Sequence, residues 1–180
     1  MKNYFNAEHG VNNKHLSVGA VLYNDEGKVL VHHHTADRWP EKYKHFGNLY
    51  VLMRESLEQR EVLEDALARG LMEEFGAVGE IEHFLGSIIA EDIWSEEFVK
   101  EDINPEMVQK TTLYFLVKLV SIDESKRLKG DPESGSELLW MSIDEIIEEQ
   151  KIQFERIKKN HVNEIVALKE ARKILFGNVE

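Results

Sequence analysis

Between Glu61 and Ala77 the chain reads EVLEDALARGLMEEFGA, and its adjacent carboxylates Glu73 and Glu74 fall in the last turn of a predicted helix closed by Gly76. Negative charge is badly placed there. The helix dipole disfavours a carboxylate in the C-terminal turn by about 0.3–1 kcal/mol, and a glycine after the last apolar residue marks that turn as the end. At about 100° per residue, Glu74 also projects among Leu63, Leu67 and Leu71, the apolar stripe of the same helix. A carboxylate in that position needs a positive partner. Arg69 serves Glu73 in the poorer orientation, cation first, and pairs with Asp65 at the favourable spacing. Nothing local serves Glu74. A bound divalent cation is the expected partner.

The elements that must position this helix follow from the apolar pattern. Leu16–Tyr23 reads as a strand, NDEGK (24–28) as a hairpin turn and Val29–Thr35 as the returning strand. A loop with Trp39 and Pro40 precedes a strand over Phe46–Met53, and a loop from Arg54 to Arg60 leads into the helix of 61–75. Further strands are predicted at Ile81–Ala90 and Thr111–Ile122, the second almost continuously apolar and therefore central. Between them, 91–109 is a long acidic loop with Trp94, Phe98 and Pro105, of a length more often functional than idle. DPESGSE (131–137) is a turn-rich linker, Ser142 and Glu145 fit a capping box, and about 153–176 reads as one helix. Strands that flank and enclose helices without strict alternation point to a mixed sheet with helices packed on it. The expected organisation is a flexible lead-in over 1–14, a domain over 15–150, and a helical extension over 151–180 packed on that domain. A dimer contact is the other reading of the last helix, so the chain is expected to be a monomer or a homodimer.

At 180 residues, 42% hydrophobic and 31% charged, the composition fits one soluble globular domain. A formal net charge of −12 argues against nucleic-acid binding through phosphate attraction. An acidic protein acting on phosphorylated ligands needs cations as intermediaries. The absence of cysteine excludes disulfides, thiolate zinc sites and cysteine nucleophiles. The N-terminal residues lack the apolar core of a signal peptide, and no run approaches the roughly 18 apolar residues of a membrane span. A cytoplasmic protein without a membrane partner is expected.

With the spacing laid out, the chain resembles the nudix family, whose signature is G-x5-E-x7-R-E-U-x-E-E-x-G-U with U aliphatic. Glu61, Arg69, Leu71, Glu73, Glu74 and Gly76 match, and Ala77 substitutes for the final aliphatic. The opening hairpin and ELLWMSIDEI (137–146) also resemble what precedes and follows the box in that family. The first glycine of the pattern falls on Glu55, its usual glycine neighbour on Arg54 and the glycine usually found before the first glutamate on Arg60, and the glutamate after the arginine is Gly70. In the family that glutamate commonly joins the two later ones around the metal. The resemblance implies an α/β fold, an α/β/α sandwich with a mixed sheet, here with an added C-terminal helix. It also implies a Mg²⁺-dependent (or Mn²⁺-dependent) hydrolase cleaving a diphosphate linkage in a nucleotide derivative.

On that reading Glu73, Glu74, Arg69 and Glu61 are the catalytic candidates, and Glu73, Glu74, Glu58 and Glu137 the metal candidates, with Glu133 an alternative to Glu137. Glu61 either joins the metal or is the structural partner of Arg69. Arg54 and Arg60 are phosphate-clamp candidates or solvated loop charges. In the His32-His33-His34 run, strand alternation puts His32 and His34 on one face and His33 on the other. The run is open to metal binding, ligand contact or plain packing, and His34 is the ligand-contacting candidate. Trp39, Phe46, Tyr50, Trp94 and Phe98 are either stacking partners for a nucleobase or loop and core anchors, with Trp39 chosen as the substrate-binding candidate. The alternative function is a catalytically impaired module of the same fold that binds a nucleotide or a protein partner, motivated by Gly70 and the replaced glycines.

Overall fold

The computed structural model of the chain describes residues 4–6, 13–39, 41–92, 108–130, 135–157 and 163–177. The strands are β1 Tyr4–Asn6, β2 Asn13–Tyr23, β3 Val29–His34, β4 Leu49–Val51, β5 Met53–Ser56, β6 Ala77–Asp92, β7 Val108–Ile122 and β8 Glu137–Met141. The helices are α1 Leu63–Gly70, running into a π-helical turn over Leu71–Phe75, then α2 Ile143–Ile157 and α3 Ile165–Phe176.

All eight strands join one mixed sheet. Its main path is β4-β3-β2-β7-β6, with β1 and β5 paired to β2 and β8 paired to β3. β2 and β7 run parallel from Asn13↔Val108 to Tyr23↔Lys118, and the other pairings are antiparallel. The apolar β7 is central, between β2 and β6. The hairpin turn is held by Asn24, whose Oδ1 accepts from the main-chain N–H of Glu26 and Lys28 at 3.0 Å.

Alternation along the strands feeds two separate cores. On one face Ala20, Leu22, Leu30 and Met53 pack with Ala66, Leu67, Leu71 and Phe75 of α1 and its π turn. On the other, Val21, Val29, Val31 and Tyr114 pack with Ile146, Ile147, Leu168 and Ala171 of α2 and α3. The result is an α/β/α sandwich, with α1 alone on the face that carries the box. Among the described residues no helix is long and apolar enough to cross a membrane.

Several boundaries differ from the sequence expectation. Strand pairing reaches into the polar N-terminal stretch, since β1 pairs with β2 at Tyr4↔His15 and β2 begins at Asn13. The strand expected over Phe46–Met53 is two short ones, β4 and β5, and β5 takes Arg54 and Glu55 out of the expected loop. The strands around the 91–109 loop are longer, β6 ending at Asp92 and β7 starting at Val108. The remainder of that loop, with Trp94, Phe98 and Pro105, lies outside the described residues, as do Pro40 and Glu133. The expected long C-terminal helix is two helices. The first starts at Ile143, at the capping box, where Ser142 Oγ donates to Glu145 Oε2 at 2.7 Å and accepts from the Glu145 N–H at 3.3 Å.

The two C-terminal helices are pinned to the sheet by a buried carboxylate. Glu164, fully buried, accepts from the Leu52 N–H at 2.9 Å, from Gln150 Nε2 at 2.7 Å and from the Tyr114 hydroxyl at 2.9 Å, with Arg54 Nε at 3.5 Å. Burial, followed by the field of Glu164, pushes the Tyr114 phenol well above its ordinary range, so it stays a donor. Removing one member of such a buried set costs about 3–5 kcal/mol. Glu164→Ala is therefore expected to lower the melting temperature by on the order of 10 °C, read by thermal melting followed by circular dichroism. A shift within a degree or two would mean that the helices are held by apolar packing alone.

A candidate active site around Arg69

Three elements bring the box together: α1 with its π turn, strand β5 in front of it, and the loop of Leu57–Val62 that joins them. Arg69, in the last turn of α1, projects back over this loop. Its Nε and Nη2 donate to the two carboxylate oxygens of Glu61 at 2.9 and 2.8 Å, and Nη2 also donates to the Ser56 carbonyl at 2.8 Å. A two-point pair of this kind fixes orientation as well as charge. The structure thus makes Glu61 the structural partner of Arg69. The third nitrogen, Nη1, lies 3.1 Å from Glu55 Oε1 and 3.5 Å from Glu73 Oε2. Asp65, exposed, takes no part in this group. The hydrogen bond from Arg69 holds the Glu61 carboxyl below its ordinary range. Burial lifts that of Glu55 above it, against the pull of Arg69.

Gly70 explains why Glu55 can be there. A Cβ at Gly70 would stand 2.6 Å from Glu55 Cβ and 2.9 Å from Met53 Sδ. The stem of Glu55 fills the room a side chain at position 70 would need. The turn before Glu61 keeps the backbone that favours glycine, since Arg60 has φ +68, the one positive value outside glycine among the described residues. Its exposed side chain makes no contact with the carboxylates.

Glu74 has a partner that the local sequence does not reveal. It is 3% exposed, and His32 of β3 reaches across the core to place Nε2 2.7 Å from its Oε2. The other ring nitrogen, Nδ1, is 2.7 Å from Ser136 Oγ, which in turn accepts from Arg127 Nη2 at 3.2 Å. Arg127 can only donate, so Ser136 Oγ accepts from it, and Ser136 and His32 link the guanidinium to the carboxylate. Arg127 Nε also donates to the main-chain carbonyl of Glu74 at 2.7 Å, and the Leu128 N–H to that of Glu73 at 2.8 Å. The negative end of the helix is met by a guanidinium. The sequence offers Glu74 no local partner and points to a bound cation; the fold supplies His32 to its carboxylate and Arg127 to its carbonyl, both distant in sequence.

The remaining candidates disperse. His34 shares the His32 face, its ring 5.7 Å from that of Trp39. Trp39 anchors its loop through Nε1, which donates to the Gly47 carbonyl at 2.7 Å. His33, on the opposite face, stacks on Tyr50 at 4.7 Å and lies 3.1 Å from Glu137. Glu137 pairs in register with His33, so strand alternation puts it across the sheet from Glu74. Arg54 likewise faces α2 and α3 through Glu164 rather than the acids. Glu58 is exposed, and its N–H donates to Glu61 Oε2 at 2.7 Å. Sequence reasoning missed Glu55, Ser136, Arg127 and Glu164 as partners. Only Glu55 carried a signal, as a large residue at a glycine position of the box with a glycine at a large one.

Among the described residues no three His, Asp or Glu side chains are placed to hold a metal ion. A full protein cage is not what Mg²⁺ requires, since it is bound through one or two carboxylates and keeps waters and substrate phosphates as its other ligands. Glu73 and Glu55, two hard oxygen donors flanking one guanidinium, fit that pattern.

The Arg69 fork can be tested separately from activity. The lowered Glu61 carboxyl contributes stability that is present above its unfolded value and lost as pH falls through its folded one. Arg69→Lys cannot reproduce the fork and is expected to cost about 1.5–3 kcal/mol at pH 7. The difference from wild type should shrink as pH falls below the ordinary carboxylate range, in urea unfolding at stepped pH. A pH-independent difference would contradict the pairing.

Comparison with known proteins places this geometry. The family model of the NUDIX domain matches residues 13–162. Among solved structures, the chain is similar to a NUDIX hydrolase from Nitrosomonas europaea at 20% identity and TM-score 0.59, covering 89% of each chain. It is similar to the ORF135 protein of E. coli at 16% identity and TM-score 0.55, covering 92% of this chain and 94% of that one. It is similar to the MutT protein from Methanosarcina mazei Go1 at 16% identity and TM-score 0.50, covering 81% and 93%. At these identities the likeness is one of fold. A search of curated proteins finds no match. With a family match over most of its length, the chain belongs to the NUDIX family, whose members act on nucleoside diphosphate derivatives and generally use divalent metal cations.

Proposed function

We propose that this protein is a Mg²⁺-dependent hydrolase of a diphosphate linkage in a nucleotide derivative, with Mn²⁺ as a substitute ion. The observation that carries the reading is the Arg69 group: one guanidinium locked on Glu61 with Glu73 held at its rim. The arrangement keeps a carboxylate at a set position beside a positive group, ready for an anionic ligand that brings or shares a cation. Glu73 is the first ligand assigned to that cation. Glu74, oriented by His32 and Arg127, fixes the adjoining backbone of the helix end. When bound, the cation neutralises phosphate charge and activates a water for attack at phosphorus. Arg60, exposed beside Glu61, is assigned to phosphate and the His34–Trp39 pair to a nucleobase.

One observation favours a second reading, a nucleotide-binding module without turnover. Glu74, a box carboxylate, is engaged by His32 inside the core. Incubation of the full chain with a panel of nucleoside diphosphate derivatives, with and without Mg²⁺, separates the two. The expected result is Mg²⁺-dependent release of a nucleoside monophosphate that EDTA abolishes. Glu73→Gln should lower it by at least the about 10–100-fold seen when metal-site partners are removed. Thermal stabilisation by a nucleotide without turnover anywhere on the panel would select the module instead.

A further inference from the structure

The box departs from its pattern at two positions that touch each other. Position 55, a glycine in the pattern, is a glutamate, and position 70, a glutamate in the pattern, is a glycine. The two face each other across the α1–β5 contact, where a Cβ on Gly70 would meet Glu55 Cβ at 2.6 Å and Glu55 Cγ at 3.1 Å. A side chain at position 70 would have to displace the stem of Glu55 and shift Met53 Sδ, 2.9 Å away.

We propose that Glu55 supplies from strand β5 the carboxylate that the box otherwise places on the helix at position 70, and that it acts with Glu73 as an oxygen ligand of the site's cation. The inference rests on the Mg²⁺-dependent reading above and names a ligand for it. Alternation along β5 supports the placement. Met53 and Glu55 face α1, whereas Arg54 between them turns to Glu164 on the other face. Both carboxylates present one oxygen to Arg69 Nη1, Glu55 Oε1 at 3.1 Å and Glu73 Oε2 at 3.5 Å. Glu55 Oε1 is also held by the Ser56 N–H at 2.7 Å. Among the described residues the second oxygen of each, Glu55 Oε2 and Glu73 Oε1, makes no hydrogen bond. Each side chain is thus oriented through one oxygen while the other remains for a ligand. Arg69 is anchored elsewhere, on Glu61 and Ser56, and does not depend on these longer contacts.

The test compares full-length wild type, Glu55→Gln, Gly70→Glu and the double exchange Glu55→Gly with Gly70→Glu. Mn²⁺ binding is read from the electron paramagnetic resonance of free Mn²⁺, and metal-free stability from thermal melting. Glu55→Gln should melt near wild type and bind Mn²⁺ about 10–100-fold more weakly. Gly70→Glu alone should melt about 5 °C lower, because two side chains compete for one space. The double exchange should recover both the melting temperature and Mn²⁺ binding. Undiminished Mn²⁺ binding by Glu55→Gln, with wild type binding normally, would overturn the assignment of Glu55 and leave the hydrolase reading intact. A double exchange that melts like wild type but binds no better than Glu55→Gln would also overturn it. Failure of wild type itself to bind Mn²⁺ would overturn the hydrolase reading, and this inference with it.

Discussion

Helix α1 and strand β5 approach so closely at Gly70 that a Cβ there would stand 2.6 Å from that of Glu55, and the arrangement of charge at the site follows from that contact. Glycine in a helix interior costs about 0.8–1 kcal/mol relative to alanine. The close approach returns a compact group in which Arg69 reaches Glu61, the Ser56 carbonyl, Glu55 and Glu73 at once. With Arg69 bound to the loop on one side and the helix on the other, the segment of Glu55–Glu61 is tied to α1 before any ligand arrives. This is the preorganisation that a site for a charged ligand needs, because the ordering of its groups is already complete.

The two carboxylates at the helix end have separate tasks. Glu73 stays at the rim beside Arg69, while Glu74 turns inward to His32. The π-helical turn closes on Gly76, whose φ of +66 and contact with the Asp123 carbonyl exclude a side chain. It ends where Asp123, Arg127 and Leu128 bond the helix-end carbonyls. The unfavourable dipole is relieved by residues beyond β7, and the inward-facing carboxylate by His32 of β3. The charges at the end of the helix thus have partners within the protein itself.

What could be read from the chain beforehand was the part encoded locally. The box spacing, the Asn24 turn, the Ser142–Glu145 cap and the alternation of the three histidines all depend on neighbours within a few residues. The apolar run of β7 likewise announced a central strand. What could not be read depends on pairing across the fold. His32 and Glu74 are far apart in sequence, and so are Arg54 and Glu164. Their partnership exists only once the sheet is assembled. The register of β8 on β3, which decides that Glu137 lies across the sheet from Glu74, is set by long-range packing that no local pattern reveals. The one long-range fact that was legible in principle is the exchange of glycine and glutamate between positions 55 and 70, since two size changes of opposite sign within one box suggest contact.

The most direct measurement is a crystal structure of the full chain soaked with Mn²⁺, with the ion located by its anomalous scattering. The account predicts a peak bound by one oxygen of Glu55 and one of Glu73, with Glu74 still on His32. A peak coordinated by Glu74 with the His32 contact broken and Glu55 turned away would contradict it.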